Sequence, residues 1–274
     1  MQHVSLRATG GLRLHALRWD GGDGTPVLCV HGLSSNARLW SQVGDHLAAA
    51  GHPVVAVDQR GHGRSDKPDH GYDFPTVVAD LVAVLDDLGW ERAVVAGQSW
   101  GGNVVAHLAA AHPERLTGVV CVDGGWLALR DRFASWEACL ERLTPPRLAG
   151  MALRRLEAAV RAGHPHWSPE AVAATLDNME HLPDGSIRPW LTLERHLAIL
   201  RSMWDDDIWA VWPRIAVPAA LVPAEDGSGR QRGDVERAAA VATDARVHWF
   251  GPPADHDLHA EHPADVAAII GGLG

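Results

Sequence analysis

Short apolar runs alternate with stretches of helical spacing along most of the 274-residue chain. Residues 27–31, 54–57, 93–97, 119–122 and 219–223 are nearly unbroken in small and branched apolar side chains, and 12–19 and 247–250 complete the set of candidate strands. Strands of that kind need cover on both faces. Between them, 74–88, 104–111, 235–242 and 264–270 carry apolar residues at helical spacing. The alternation predicts an α/β fold: a mostly parallel sheet flanked by helices.

The rhythm breaks after Asp123. From 124 to about 212 there is little strand pattern, and the predicted helices are 133–143, 147–162, 169–179 and 191–204. Pro145, Pro146, Pro165, Pro169, Pro183 and Pro189 punctuate them. The expected organisation is a core of residues 1–124 and 213–274 with a helical cap, 125–212, inserted into it.

The strand at 93–97 runs into Gly97-Gln98-Ser99-Trp100-Gly101, and a helical pattern follows. A serine flanked by glycines at a strand–turn–helix junction points to a nucleophile. The turn is sharp, and glycines on either side let strand and helix approach without Cβ clashes. An incidental serine in a Gly-rich turn is the alternative, and the context argues against it. The N–H of Trp100 then faces the developing oxyanion. A second donor is expected from a loop after an early strand. His31-Gly32-Leu33 follows 27–30, which nominates the N–H of Leu33. A general base is expected after the last strand, where His256, His259 and His262 stand. His256 is preferred because it ends the loop. The three-histidine spacing matches no common zinc motif, so no metal is expected.

Four segments stand in one order: His31-Gly32 with Trp40 downstream, Asp58-Gln59-Arg60-Gly61-His62-Gly63-Arg64-Ser65, the glycine-flanked Ser99, and His256 with Glu261 and Pro263. Together they resemble the α/β-hydrolase superfamily, in particular its capped, esterase- and lactonase-like branch. The resemblance covers nearly the whole chain outside the cap. It implies that 58–65 buttresses the site, and the offsets of Glu261 and Pro263 again select His256. Dehalogenases and epoxide hydrolases of this fold work through a carboxylate nucleophile, so Ser99 favours acyl transfer.

The acid is where the chain departs from the family pattern. The usual place follows the strand at 219–223, but Ala224-Glu225-Asp226-Gly227 puts Asp226 one residue early. Some members carry the acid after the strand that follows the nucleophile's helix. That residue is Asp123, 24 residues after Ser99. Asp123 is the preferred acid and Asp226 the alternative. The implied activity is a cofactor-free, serine-dependent hydrolase of an ester, lactone or thioester, working through an acyl-enzyme. The rivals are a C–C bond hydrolase, a lyase, a cofactor-free oxygenase and a slow-turnover ligand receptor.

Composition adds limits. A net charge of −10 makes nucleic acid an unexpected partner. No apolar run nears the roughly 18 residues needed to span a bilayer. The N-terminal stretch shows no apolar signal core, so a cytoplasmic protein is expected; it would be a monomer or a homodimer, which the sequence does not decide. Cys29, Cys121 and Cys139 are too few for a disulfide framework, and Cys29 and Cys121 read as buried thiols. Seven of the twelve tryptophans lie between 126 and 212. Indoles make large, rigid, mostly apolar walls. Trp126, Trp204 and Trp209, with Trp100 and His31, are therefore expected to line the pocket of a bulky apolar small molecule.

Overall fold

The computed structural model describes residues 1–225, 229–252 and 254–274, with backbone alone at 229 and 230. The strands of its main sheet are β1 (Gln2–Arg7), β2 (Arg13–Trp19), β3 (Val27–Val30), β4 (Val54–Val57), β5 (Ala93–Gln98) and β6 (Leu116–Val122), then β9 (Ala219–Val222) and β10 (Ala245–Val247). A separate pair is β7 (Met179–His181) and β8 (Ile187–Pro189). The main sheet has the order β1-β2-β4-β3-β5-β6-β9-β10. Only the β1–β2 and β2–β4 pairings are antiparallel.

The helices between strands are α1 (Ser41–Ala49), α2 (Phe74–Asp87) and α3 (Trp100–Ala111). After β6 come α4 (Leu129–Arg132), α5 (Trp136–Leu143), α6 (Leu153–Gly163), α7 (Pro169–Leu176) and α8 (Leu193–Asp205). The chain closes with α9 (Gly229–Val241), α10 (Leu258–Glu261) and α11 (Pro263–Gly271). Helices α2 and α3 cover one face of the sheet, and α1 and α11 cover the other.

Every residue of β3, β4, β5 and β9 is buried. Alternation divides them: Leu28 and Val30 join the core under α2 and α3, while Val27 and Cys29 join that under α1 and α11. This two-sided burial is why the central strands read as unbroken apolar runs. Burial also pushes the Cys29 and Cys121 thiols up, that of Cys121 to about 12, so both are inert.

Residues 123–218 add no strand to the main sheet. Their apolar residues do not form a separate core. Trp126, Cys139, Ile199, Met203, Ile208 and Trp212 continue the core under α2 and α3. A second contact joins Trp167, Ala171 and Val172 to Leu39 and Ala260. Two elements differ from the sequence reading. The pair β7–β8 lies inside the stretch expected to be helical; three-residue strands with one fully buried side chain, Ile187, are too short to show alternation. The edge strand β1 was also not expected, because it buries only Leu6. The run at 247–250 is strand only to Val247, with Phe250 making an isolated bridge to Ala224.

Strand β3 lies between β4 and β5, so the chain crosses to opposite sides after it. Loops leaving the carboxyl ends of β3, β5 and β6 converge there, which is where α/β sheets open a crevice.

Candidate active site

Ser99 sits between β5 and α3 with φ 54° and ψ −122°. Glycine favours that region, and serine enters it only under constraint. The constraint is packing. A Cβ on Gly97 would stand 2.2 Å from Gly101 O, and one on Gly101 would stand 2.4 Å from His31 O. Among the described residues, the non-glycine residues with positive φ are Ser34, Ser99 and Asp123. All three lie at the carboxyl ends of parallel strands, and strain of this kind collects at functional sites.

Asp123 comes beside Ser99 through the register of two strands. Gln98 of β5 pairs with Val122 of β6, and Ser99 N–H donates to Val122 O at 3.0 Å. The next residues of both strands are therefore neighbours. Asp123 is 7% exposed, so its carboxylate needs internal partners. Oδ1 accepts from Ala224 N–H at 3.0 Å and from Gln231 Nε2 at 2.6 Å, and Oδ2 lies 2.6 Å from His256 Nδ1.

His256 reaches Asp123 from the loop after β10, and Gln98 Nε2 donates to its carbonyl at 3.0 Å. Its side chain is 53% exposed. Desolvation pulls the imidazole pKa down. The hydrogen bond and charge of Asp123, with Asp257 and Asp255 nearby, outweigh that and hold it above the ordinary value. A carboxylate can only accept, so Nδ1 carries the proton and Nε2 remains an acceptor while the ring is neutral. Such a ring can take a proton from a hydroxyl and return it.

The Leu33 loop packs tightly on the elbow: a Cβ on Gly32 would stand 2.3 Å from Gln98 Oε1 and 3.0 Å from Ser99 Cβ. Behind it, Asp58 ties three segments together. It accepts from Ala37 N–H at 2.7 Å, Arg64 N–H at 3.0 Å and His15 Nδ1 at 2.8 Å. Burial works against its ionisation, but the His15 bond, His31 and the two backbone N–H groups hold its pKa down at about 2.

A sequence profile described as alpha/beta hydrolase fold matches residues 25–215. The chain belongs to the α/β-hydrolase family. Among curated relatives, Epoxide hydrolase A of Mycobacterium tuberculosis (strain ATCC 25618 / H37Rv) is 40% identical over 118 residues, which is 42% of this chain but only 36% of that protein's length. A Serine hydrolase-like protein of Danio rerio is 25% identical over 268 residues, covering 92% of this chain and 82% of the relative. Among solved structures, E-2-(Acetamidomethylene)succinate Hydrolase superposes with a TM-score of 0.82 at 22% identity, covering 99% of both chains.

In this α/β hydrolase the structure brings Ser99, Asp123 and His256 into one neighbourhood, with the loops of Leu33 and Trp100 beside them. Asp226 lies outside the described residues. The pocket expectations fare differently. A cavity of about 860 Å³ lies between the loop after β3 and the β7–β8 pair, and it is not lined by His31, Trp126, Trp204 or Trp209. His31 is fully buried: Nδ1–H donates to Gly32 O at 2.7 Å and Nε2 accepts from Gln59 N–H at 3.0 Å. Burial pulls its pKa down, so it is a neutral brace for the loop. Trp126 is 0% exposed within the core. Trp204 packs on Trp136, with Arg130 over its ring. Trp209 donates to Asp131 at 2.7 Å, with Arg237 4.0 Å from its ring. Trp126 is thus spent in the main core, and Trp204 and Trp209 in contacts with neighbouring side chains.

Sequence reasoning missed the groups that hold Asp123 and His256. Gln98 is a variable position of the nucleophile turn, Gln231 and the Ala224 N–H belong to no motif, and the roles of all three arise from contacts between distant elements. It also missed Trp190, which does line the large cavity.

Among the described residues no helix is long and apolar enough to cross a membrane.

Proposed function

We propose that this protein is a serine-dependent hydrolase of carboxylic esters or lactones of small molecules with a large apolar portion. The observation that carries the reading is the 2.6 Å contact of His256 Nδ1 with a fully partnered Asp123 beside the strained Ser99. In this reading Ser99 Oγ attacks the ester carbonyl as its proton passes to His256 Nε2. The imidazolium is stabilised by Asp123. The N–H groups of Leu33 and Trp100 receive the oxyanion. Collapse of the tetrahedral intermediate breaks the C–O bond, and His256 returns the proton to the leaving alkoxide. Water, activated by the same imidazole, then releases the acid and restores Ser99.

Relatives named for epoxide hydrolysis match part of this chain, but opening an epoxide by the carboxylate route needs an acid at the elbow. Ser99 speaks for acyl transfer instead. The proposal calls on no cofactor.

A fluorophosphonate probe tests it. It should label the wild type and not Ser99→Ala, and a graded panel of esters and lactones should then show turnover that depends on Ser99. Absence of labelling together with tight ligand binding would favour a receptor.

A further inference from the structure

The large cavity has a charge that the chain as a whole lacks. The protein carries a net −10, yet the cavity lining holds three cations, Lys67, Arg147 and Arg188, against one carboxylate, Glu180. Glu180 is already bonded to Arg188. The walls are otherwise largely apolar, with Leu148, Leu156, Met179 and Trp190 prominent.

Lys67 is the only lysine in the chain. It is half-buried, which lowers its pKa by desolvation, while Asp58 acts to raise it. Its Nζ donates to Gly63 O and Ser65 O, each at 2.8 Å, and lies 4.9 Å from the centre of the Trp190 ring. An ammonium has three N–H donors. Two are spent on carbonyls, and among the described residues no carboxylate forms an ion pair with it. Asp58, Asp66 and Glu180 act on this cation through space, but none is within ion-pair distance, so its remaining N–H can be offered to an anion.

The cavity also adjoins the proposed catalytic loops. Ser34, the residue after Leu33, lines it, as does His62, whose ring stacks on Trp100 at 5.6 Å. Ser34 is fixed there. His196 Nε2–H donates to Leu143 O at 3.0 Å, so His196 Nδ1 accepts the Ser34 hydroxyl proton at 2.9 Å. That bond ties the loop after β3 to α8 one residue beyond Leu33.

We infer that this cavity takes the carboxylate-bearing end of an amphipathic substrate, with Lys67 as its counter-ion. The inference rests on the hydrolase reading above and narrows it, from an apolar ester to the ester of an apolar chain that also carries a carboxylate. A volume of about 860 Å³ suits a ligand of that size. Lys67 supplies a positive charge that no carboxylate contacts directly, which suits a monoanion, and Arg147 adds a second cation at the exposed rim.

Monomethyl sebacate and methyl decanoate present the same acyl chain with and without a terminal carboxylate. The wild type should prefer the half-ester in kcat/KM by roughly 10-fold or more, through KM. Lys67→Met should collapse that ratio towards one, and Lys67→Arg should keep most of it. Calorimetric titration of Ser99→Ala with decanoate and with decanol gives a readout without turnover: decanoate should bind more tightly, and adding Lys67→Met should remove the difference. Equal kcat/KM for the two esters in the wild type, or equal binding of decanoate and decanol, would overturn the inference even if Lys67→Met failed to fold. Absence of fluorophosphonate labelling at Ser99 counts against the hydrolase reading; labelling without carboxylate preference counts against this inference alone.

Discussion

His256 Nδ1 and Asp123 Oδ2 lie 2.6 Å apart although 133 residues separate them in the chain. The second carboxylate oxygen is held by Ala224 N–H and Gln231, so Asp123 has one orientation and His256 meets it. Replacing the carboxylate with an amide keeps the shape but favours the wrong imidazole tautomer. Asp123→Asn is expected to lower kcat by roughly 10⁴-fold with little change in folding. Asp226→Asn should lose little. Single-turnover kinetics on both variants check this, and the opposite pattern would make Asp226 the acid.

The same pairing sets the pH dependence. The base must be neutral, and its pKa is held above the ordinary value of 6.5 by Asp123. Activity should therefore rise with pH through an acid limb that lies above 6.5. In Asp123→Asn the carboxylate's contribution is gone, so the limb of the residual activity should move to lower pH. The pH profile of kcat/KM reports this pKa for the free enzyme. A limb below 6.5 in the wild type would contradict the assignment of His256 as base.

Gly124 follows Asp123 and faces the elbow. A Cβ there would stand 2.2 Å from Ser99 O and 2.6 Å from Ser99 Cα, both backbone atoms with no freedom to swing away. Gly124→Ala should displace Ser99 and cost activity as well as roughly 1–3 kcal/mol of stability. Gly163, at the end of α6, has nothing within 4 Å of the same position, so Gly163→Ala should leave both unharmed. Denaturant midpoints and turnover measured side by side distinguish the two.

His259 is fully buried against Trp40, and among the described residues neither ring nitrogen has a hydrogen-bond partner. Burial pushes its pKa down to about 3, so the native ring is neutral. The unfolded chain binds that proton near pH 6.5 and the folded chain does not until about 3. Folding stability should therefore fall as pH drops below 6.5, by roughly 1.4 kcal/mol per unit from this residue. His259→Leu should flatten the decline between about pH 6.5 and about pH 5. Denaturation curves at both pH values test it, and an unchanged slope would rule His259 out as its source.

The sequence by itself determined the layered α/β architecture, because strands buried on both faces must be apolar throughout and helices between them must be apolar on one side. It also singled out Ser99 as the candidate nucleophile, because a serine at a strand–helix elbow needs small neighbours that are contiguous in the chain. It nominated His256 and Asp123 as well, but left Asp123 beside Asp226. What brought the first two together is the β5–β6 register and the loop after β10, both contacts between distant segments. The pocket was the part least legible. Tryptophan content suggested pocket walls in the segment 126–212, but one-dimensional position does not say which way an indole faces. Trp126 turned into the core, Trp204 and Trp209 turned to arginines and aspartates outside it, and Trp190 faced the cavity. Only the packing of α4–α8 and of the unforeseen β7–β8 pair decided that, because burial and orientation are properties of neighbours the chain supplies from far away.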